Sequence, residues 1–130
     1  MLVVEPGPTL PVWADPDRIA QVFTNIIGNA LSYTPAGGRV VVRAEVGSGL
    51  AAVAITDTGR GLAADQREAV FERFYRADRS APGGTGIGLT IARSIARLHG
   101  GDVTATSPGP GLGSTFTVRL PLHESRETVG

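Results

Sequence analysis

Residues 15–33, DPDRIAQVFTNIIGNALSY, carry the strongest structural signal in the chain, because a helix start is followed by a helical period. Asp15 before Pro16 has the form of an N-cap carboxylate with proline at the first helical position. Thr34-Pro35 is predicted to end the helix, since proline disfavours α geometry in the residue before it. Apolar residues recur with a helical period at positions 19, 22, 23, 26, 27, 30 and 31.

The same helix carries two asparagines, Asn25 and Asn29, on one narrow polar face. At about 100° per residue they lie one turn apart and present two amide oxygens in the same direction. Mg²⁺ prefers oxygen ligands and usually keeps waters and substrate phosphates, so the pair is a candidate metal and phosphate site. Taken alone, such a stripe is more often the solvent-facing side of an amphipathic helix. Its other members are Arg18, Gln21 and Ser32.

Further elements are predicted on both sides of this helix. Two β-rich runs, residues 39–46 and 50–56, are joined by a short glycine-containing hairpin connection. Residues 62–70 and 87–98 have helical composition, and strands close together in sequence favour an α+β layer over a repeated βαβ wind. The remaining predictions are strands at residues 10–14, 102–106 and 114–120, a mobile loop at residues 78–85 and a disordered tail at residues 123–130.

Composition excludes several function classes. The 130 residues suit one domain, predicted to span residues 4–122. The absence of cysteine excludes disulfides and Cys-based zinc sites. Twelve basic and twelve acidic residues form no basic stripe, so no nucleic-acid partner is expected. No apolar run approaches the roughly 20 residues that cross a bilayer, which favours a cytoplasmic domain without membrane contact and leaves open an inner-membrane anchor in a longer parent protein.

A second polar motif begins at Asp57, which ends an apolar strand and precedes Thr58-Gly59-Arg60-Gly61. A carboxylate at a strand end can accept a hydrogen bond from an exocyclic amine, and glycines let the backbone approach a flat ring. The alternative is an ordinary β-to-α turn in which Asp57 caps the loop. A dinucleotide-binding fingerprint, Gly59-x-Gly61-x-x-Ala64, is rejected because no parallel βαβ unit follows.

A third motif, residues 84–89 (GTGIGL), opens the last predicted helix. Backbone N–H groups at a helix N-terminus are unpaired and bind anions, so the glycine run is a candidate phosphate site. A flexible linker before a helix is the alternative. Because the chain contains no lysine, a Walker A loop is excluded.

These motifs, together with residues 71–76 (FERFYR), resemble the N, G1, F and G2 boxes of two-component sensor histidine kinases. The catalytic ATP-binding domain of those kinases belongs to the gyrase, heat-shock-protein-90, histidine kinase and mismatch-repair ATPase superfamily. The resemblance implies a Bergerat-type two-layer α/β sandwich, with a mixed sheet of about five strands backed by three helices and a mobile ATP lid. It covers about residues 10–122 and is reinforced by residues 25–30, 98–101 and 113–116.

The resemblance also implies a role for each motif residue in binding ATP and Mg²⁺. Asn29 would ligate Mg²⁺, and Asn25 and Arg76 would act in catalysis by supporting the phosphates and reaching the γ-phosphate. Tyr33 would stack on adenine, and Asp57 would accept its amino group. The other implied nucleotide-binding residues are Gly59, Gly61, Gly84, Thr85, Gly86, Ile87, Gly88, Leu89 and Ser114.

Two positions depart from what is common in the superfamily. Ser32 stands where many members carry a phosphate-contacting lysine, which predicts weaker or more Mg²⁺-dependent phosphate binding. Asn25 stands where hydrolytic relatives carry a glutamate general base, and a neutral amide favours phosphoryl transfer over hydrolysis. Phe71 and Phe74 are expected to anchor the lid to the core, and His99 is expected to be structural.

The implied function is donation of the γ-phosphate to a histidine on a dimerisation hairpin that is absent from this chain, for relay to a response-regulator aspartate. The expected partners are therefore that phosphoacceptor domain and a response regulator. In isolation the chain is expected to be a monomer that binds ATP and barely autophosphorylates. A stand-alone serine kinase of the anti-sigma-factor type and a non-catalytic nucleotide-sensing module remain as alternatives.

Overall fold

The fold is a computed structural model that describes residues 1–7, 12, 14–72 and 88–122. Its elements in chain order are β1 (Leu2–Val4), α1 (Pro16–Tyr33), β2 (Val40–Gly47), β3 (Leu50–Asp57), α2 (Gln66–Ala69), α3 (Gly88–Leu98), β4 (Asp102–Thr106) and β5 (Ser114–Pro121). Within the described residues, five strands form one sheet in the order β1-β2-β3-β5-β4. β1 runs parallel to β2 and every other neighbouring pair is antiparallel, which confirms the predicted mixed sheet of an α+β sandwich.

Helix α1 begins and ends where the sequence predicts. Asp15 Oδ1 accepts hydrogen bonds from the backbone N–H groups of Asp17 at 3.0 Å and Arg18 at 3.3 Å, which caps the first turn. At the other end, Thr34 Oγ1 donates to the carbonyl oxygen of Ala30 at 2.7 Å. One face of the helix is buried because apolar residues recur every fourth position, at Val22, Ile26 and Ala30.

The hydrophobic core lies between the sheet and helices α1 and α3. Alternate residues of β5 point into it, and Phe116, Val118 and Leu120 are all buried. Helix α3 contacts α1 and contributes two small buried residues, Ala92 and Ala96. Within the described parts of the chain, no helix combines the length and apolar character needed to cross a bilayer.

His99 joins the end of α3 to the start of α1. Its Nδ1 lies 2.8 Å from the carbonyl oxygen of Ile95, and its Nε2 lies 3.2 Å from the backbone nitrogen of Asp15, which donates to it. A ring nitrogen that faces a carbonyl oxygen donates and one that faces a backbone N–H accepts, so these contacts suit the tautomer with its proton on Nδ1. This placement supports the structural role expected from the sequence.

Arg93 connects α3 with α2 and β4. Its guanidinium lies 2.8 Å from Glu68 Oε1 and 3.1 Å from Asp102 Oδ1, and its Cζ lies 4.2 Å from the centre of the Phe71 ring. The hydrogen bond from Arg93 lowers the pKa of Glu68. Partial burial acts to raise the pKa of Asp102, but hydrogen bonds from Arg97 and Arg93 outweigh burial and leave that pKa below its ordinary value.

Several elements differ from the sequence-based expectation. Strand β1 was not predicted, because three residues show no period and are ordered only by pairing with β2. The helix predicted over residues 62–70 is a single turn, Gln66–Ala69. The strand predicted over residues 10–14 is described at residues 12 and 14, and Val12 forms an isolated antiparallel bridge with Leu122. Phe74, the loop predicted at residues 78–85 and the tail predicted at residues 123–130 lie outside the described residues.

Gly28 lies in the interior of α1, where glycine is unfavourable. A Cβ atom built on Gly28 meets no heavy atom within 4 Å, and the position is exposed. Gly28→Ala should therefore raise the free energy of unfolding by about 0.5–1 kcal/mol, because alanine loses less conformational entropy in a helix. Urea denaturation measures the change, and Ala20→Gly, at an exposed position of the same helix, should lower stability by a similar amount. A Gly28→Ala variant with a lower free energy of unfolding would show that another part of the protein packs against this face of the helix.

Candidate functional site

A cleft with about 460 Å³ of space free of protein atoms, part of it open to solvent, lies beside the ends of α1 and β3 and the start of α3. Small-molecule sites are concave and mostly apolar, with a few polar groups that fix the orientation of the ligand. The wall combines apolar side chains with a small number of polar groups, as such sites do. The described residues that line the cleft are Asn29, Tyr33, Asp57, Arg60, Gly61, Leu62, Val70, Leu89, Ser114 and Phe116.

Asp57 supplies a carboxylate that is 6% exposed in the wall of this cleft. Its Oδ1 accepts a hydrogen bond from the backbone N–H of Gly59 at 2.8 Å, and its Oδ2 accepts one from Ser114 Oγ at 2.8 Å. The sheet produces this arrangement, because Asp57 and Ser114 are directly opposite each other on β3 and β5. Each carboxylate oxygen has two lone-pair positions, so each retains one for a ligand that donates a hydrogen bond.

Two glycines after β3 have no room for a side chain. A Cβ atom on Gly59 would lie 2.5 Å from the carbonyl oxygen of Tyr33. Gly61 has a φ of +69°, and a Cβ atom there would overlap the carbonyl oxygen of Gly109. The loop after β3 is therefore packed closely between the end of α1 and the connection that joins β4 to β5.

Tyr33, the last residue of α1, contributes its ring to the cleft. The guanidinium carbon of Arg60 lies 4.5 Å from the centre of that ring, a cation–π contact. Arg60 therefore covers one face of Tyr33, so a flat ligand ring that stacks on this tyrosine must use the other face or displace the arginine.

The two asparagines of α1 have different surroundings. Asn29 lines the cleft. Asn25 contacts helix α3 instead, because its Nδ2 donates to the carbonyl oxygen of Gly88 at 3.1 Å. Asn25 thus holds the first residue of α3 in place, and the role in supporting phosphates stays a prediction.

Six of the predicted site residues meet in this one cleft: Asn29, Tyr33, Asp57, Gly61, Leu89 and Ser114. Gly59 lies next to the cleft because its N–H donates to Asp57, and Gly88 does so because it directly precedes Leu89. The other predicted site residues, Arg76, Gly84, Thr85, Gly86 and Ile87, lie outside the described residues.

Four described lining residues were not predicted as site residues: Arg60, Leu62, Val70 and Phe116. Phe116 had a sequence signal, since it belongs to the GSTF stretch that contains Ser114. Leu62 and Val70 had none, because an apolar residue that lines a cleft has the same local pattern as one in the core. The core and the cleft wall are in direct contact at Phe71. Its side chain is buried in the core, and its ring packs edge-on against that of Phe116, with 6.1 Å between the ring centres.

The side chains that line the cleft suit a nucleotide better than a metal ion held by protein ligands alone. A buried acceptor lies beside an aromatic ring and apolar side chains, as recognition of a base requires. Among the residues that the structure describes, no group of three or more His, Cys, Asp or Glu side chains could hold a metal ion. The amide of Asn29 can provide one oxygen ligand, which suits Mg²⁺ coordinated mainly by waters and phosphates.

Comparisons with known proteins agree with this geometry. A family model described as histidine kinase-, DNA gyrase B-, and HSP90-like ATPase matches residues 14–124. The chain is 42% identical over 113 residues to the sensor histidine kinase RppB of Synechocystis sp., which covers 85% of this chain and 25% of RppB. It is 42% identical over 127 residues to the sensor histidine kinase WalK of Bacillus subtilis, which covers 94% of this chain and 21% of WalK. The chain therefore spans a quarter or less of these relatives.

Solved structures show the same architecture. The mycobacterial sensor histidine kinase MprB superposes with a TM-score of 0.79 and 33% identity, covering 95% of this chain and 81% of that chain. Full-length ShkA, solved in complex with AMPPNP, superposes with a TM-score of 0.80 and 31% identity, covering 95% of this chain and 25% of that chain.

Proposed function

Since the chain belongs to the histidine kinase-, DNA gyrase B- and HSP90-like ATPase family, with sensor histidine kinases as its relatives, we propose that it binds Mg²⁺·ATP in this cleft and presents the γ-phosphate for transfer to a histidine. The observation that carries the proposal is the buried Asp57 carboxylate, hydrogen-bonded to Ser114 inside a cleft that Tyr33 and Asn29 also line.

Asp57 would select the base. Its carboxylate only accepts hydrogen bonds, and one acceptor position on each oxygen is left after Gly59 and Ser114 are satisfied. Adenine presents an exocyclic amino group, which donates to such a position. Guanine presents a carbonyl oxygen at the equivalent ring atom, so it would bring two acceptors together. The cleft is therefore expected to prefer ATP over GTP.

The far end of the nucleotide would lie toward Asn29. Asn29 would contribute one amide oxygen to Mg²⁺, and the ion would supply charge neutralisation at the phosphates. Asn25 carries no carboxylate that could take a proton from water, which favours transfer over hydrolysis. Transfer would break the bond between the γ-phosphorus and the oxygen of the departing ADP and form a phosphorus–nitrogen bond to the imidazole, whose proton would pass to water.

The acceptor histidine is proposed to lie on a dimerisation hairpin outside this chain, and a response-regulator aspartate would receive the phosphoryl group next. The support is that the sensor histidine kinases RppB and WalK are at least four times as long as the segment that matches this chain. The domain itself would work in the cytoplasm. The names of these relatives favour this assignment over a serine kinase of the anti-sigma-factor type.

Titration with a fluorescent ATP analogue, with and without Mg²⁺, tests the proposal. Mg²⁺ should strengthen binding to the wild type by about tenfold or more, and Asn29→Ala should lose most of that gain, because one oxygen ligand is removed. Gln21→Ala, an exposed amide two turns earlier on the same helix, is the matched control and should behave like the wild type. An Asn29→Ala variant with unchanged Mg²⁺ dependence would remove the metal role from this residue, and a wild type that binds no ATP would overturn the function itself.

A further inference from the structure

The hydroxyl of Ser107 joins two loops beside the cleft. Ser107 follows β4, and its Oγ accepts hydrogen bonds from the backbone N–H groups of Leu62 at 3.0 Å and Gly109 at 3.1 Å. Its own proton has two carbonyl oxygens within reach, Gly113 at 2.6 Å and Gly109 at 3.2 Å, and the nearer is the better acceptor. A hydroxyl has one proton and two lone pairs, so these contacts use its full capacity.

Both loops carry groups that hold Asp57. The loop after β3 contains Gly59, whose N–H donates to Asp57 Oδ1, and it continues to Leu62, which lines the cleft. On the other side, Gly113 directly precedes Ser114, whose hydroxyl donates to Asp57 Oδ2. Ser107 therefore accepts a hydrogen bond from the backbone of Leu62, three residues after Gly59, and donates one to the backbone of Gly113, immediately before Ser114.

The loops themselves contain few side chains that could set their separation. Gly61, Gly109, Gly111 and Gly113 all have positive φ, a conformation that glycine adopts at little steric cost but with a large loss of conformational entropy on ordering. Backbone hydrogen bonds also cross between the loops, from Gly111 to Arg60 and from Gly113 to Gly59. The hydroxyl of Ser107 adds a side-chain connection at the point where both loops approach the carboxylate.

We propose that Ser107 is a positioning residue for base recognition: the pairing of β3 with β5 brings Asp57 and Ser114 together, and Ser107, by joining Leu62 to Gly113, fixes the final orientation in which they meet the base. The inference rests on the proposed binding of ATP and adds a residue that touches neither the nucleotide nor Asp57. Without the hydroxyl, the backbone hydrogen bonds from Gly111 and Gly113 still join the loops, but Leu62 and Gly113 lose their shared partner, and a small shift there misaligns the spare acceptor positions of Asp57.

The test compares ATP and GTP affinities of the wild type, Ser107→Ala and Ser107→Thr, with urea denaturation of each. Ser107→Ala should lower ATP affinity by about tenfold and GTP affinity by much less. The reason is that a misaligned Asp57 carboxylate weakens the hydrogen bond from the adenine amino group, which guanine does not make. Ser107→Thr keeps the hydroxyl and should restore the preference. Thr104→Ala removes a hydroxyl from β4 that pairs with Arg119, and it serves as the matched control with unchanged preference.

A merely structural role gives a different result. Destabilisation reduces the folded fraction and weakens the binding of both nucleotides by the same factor, so the ratio of ATP affinity to GTP affinity would not change. An unchanged ratio in folded Ser107→Ala overturns the inference. If that variant does not fold, Ser107→Cys, with a weaker hydrogen-bonding group of similar shape, should show the same direction of change, and an unchanged ratio there is equally decisive. A wild type that binds neither nucleotide contradicts the proposed function instead.

Discussion

Asp57→Asn should reduce ATP affinity by about a hundredfold, because a hydrogen bond to a charged group is lost and a donor replaces an acceptor. If the asparagine oxygen keeps the bond from Gly59, its amino group faces Ser114, whose hydroxyl can rotate to accept. The second amide hydrogen then points toward the adenine amino group, so two donors meet. GTP, which presents an oxygen at that ring atom, should lose much less affinity.

Titration with ATP and GTP measures this change in the ratio of the two affinities, and circular dichroism checks that the variant is folded. Asp102→Asn is the matched control, since Asp102 is an aspartate on β4 that pairs with Arg93 and Arg97 and is not a cleft residue. It should bind ATP like the wild type. Asp57→Asn with wild-type affinity for ATP would exclude Asp57 from base recognition. If Asp57→Asn fails to fold, Ser114→Ala perturbs the same carboxylate with a smaller change.

Gly61→Ala should lower the free energy of unfolding by about 4 kcal/mol, because alanine is disfavoured at positive φ and its methyl group would press on a backbone atom. The φ of Gly61 is +69°, and the added Cβ atom would overlap the carbonyl oxygen of Gly109. A backbone oxygen cannot rotate away as a flexible side chain can, so the two loops must separate. ATP affinity should fall with stability, since Gly61 lines the cleft.

Gly37→Ala separates the cost of a positive φ from the cost of the steric contact. Gly37 also has a positive φ, +87°, but a Cβ atom there meets no heavy atom within 4 Å. This variant should lose only the cost of the left-handed conformation, about 1–2 kcal/mol, and should keep ATP binding. Urea denaturation of both proteins gives the difference, which reports the close approach at Gly61. Equal losses in the two variants would mean that the loops do not touch there.

The charge of the cleft depends on more than one motif position. Ser32 replaces a lysine common in the superfamily, and from sequence this predicts weaker phosphate binding. The structure places a different cation in the cleft, Arg60, which comes from the loop after β3 and stacks on Tyr33. The prediction made from Ser32 alone therefore left out a cation that a different element supplies to the cleft wall.

Local signals were sufficient for much of the fold. The cap at Asp15 and the spacing of apolar residues located α1, and the β-rich runs located β2 to β5 within a residue or two. These signals act over a few residues, so they can be read from the chain directly. Strand β1 lacked them, because its order comes from parallel pairing with residues almost forty positions away.

The family and its set of binding motifs were determined by the sequence alone, since each motif is a short run with its own chemistry. The tertiary structure decided which motif residues share a cleft. Asn25 and Asn29 look equivalent on the helix, yet one lines the cleft and the other binds Gly88, 63 residues later in the chain. Arg60, Leu62, Val70 and Ser107 gained their places in the same way. Contacts between segments distant in sequence depend on how strands and loops pack, and no local pattern records that packing.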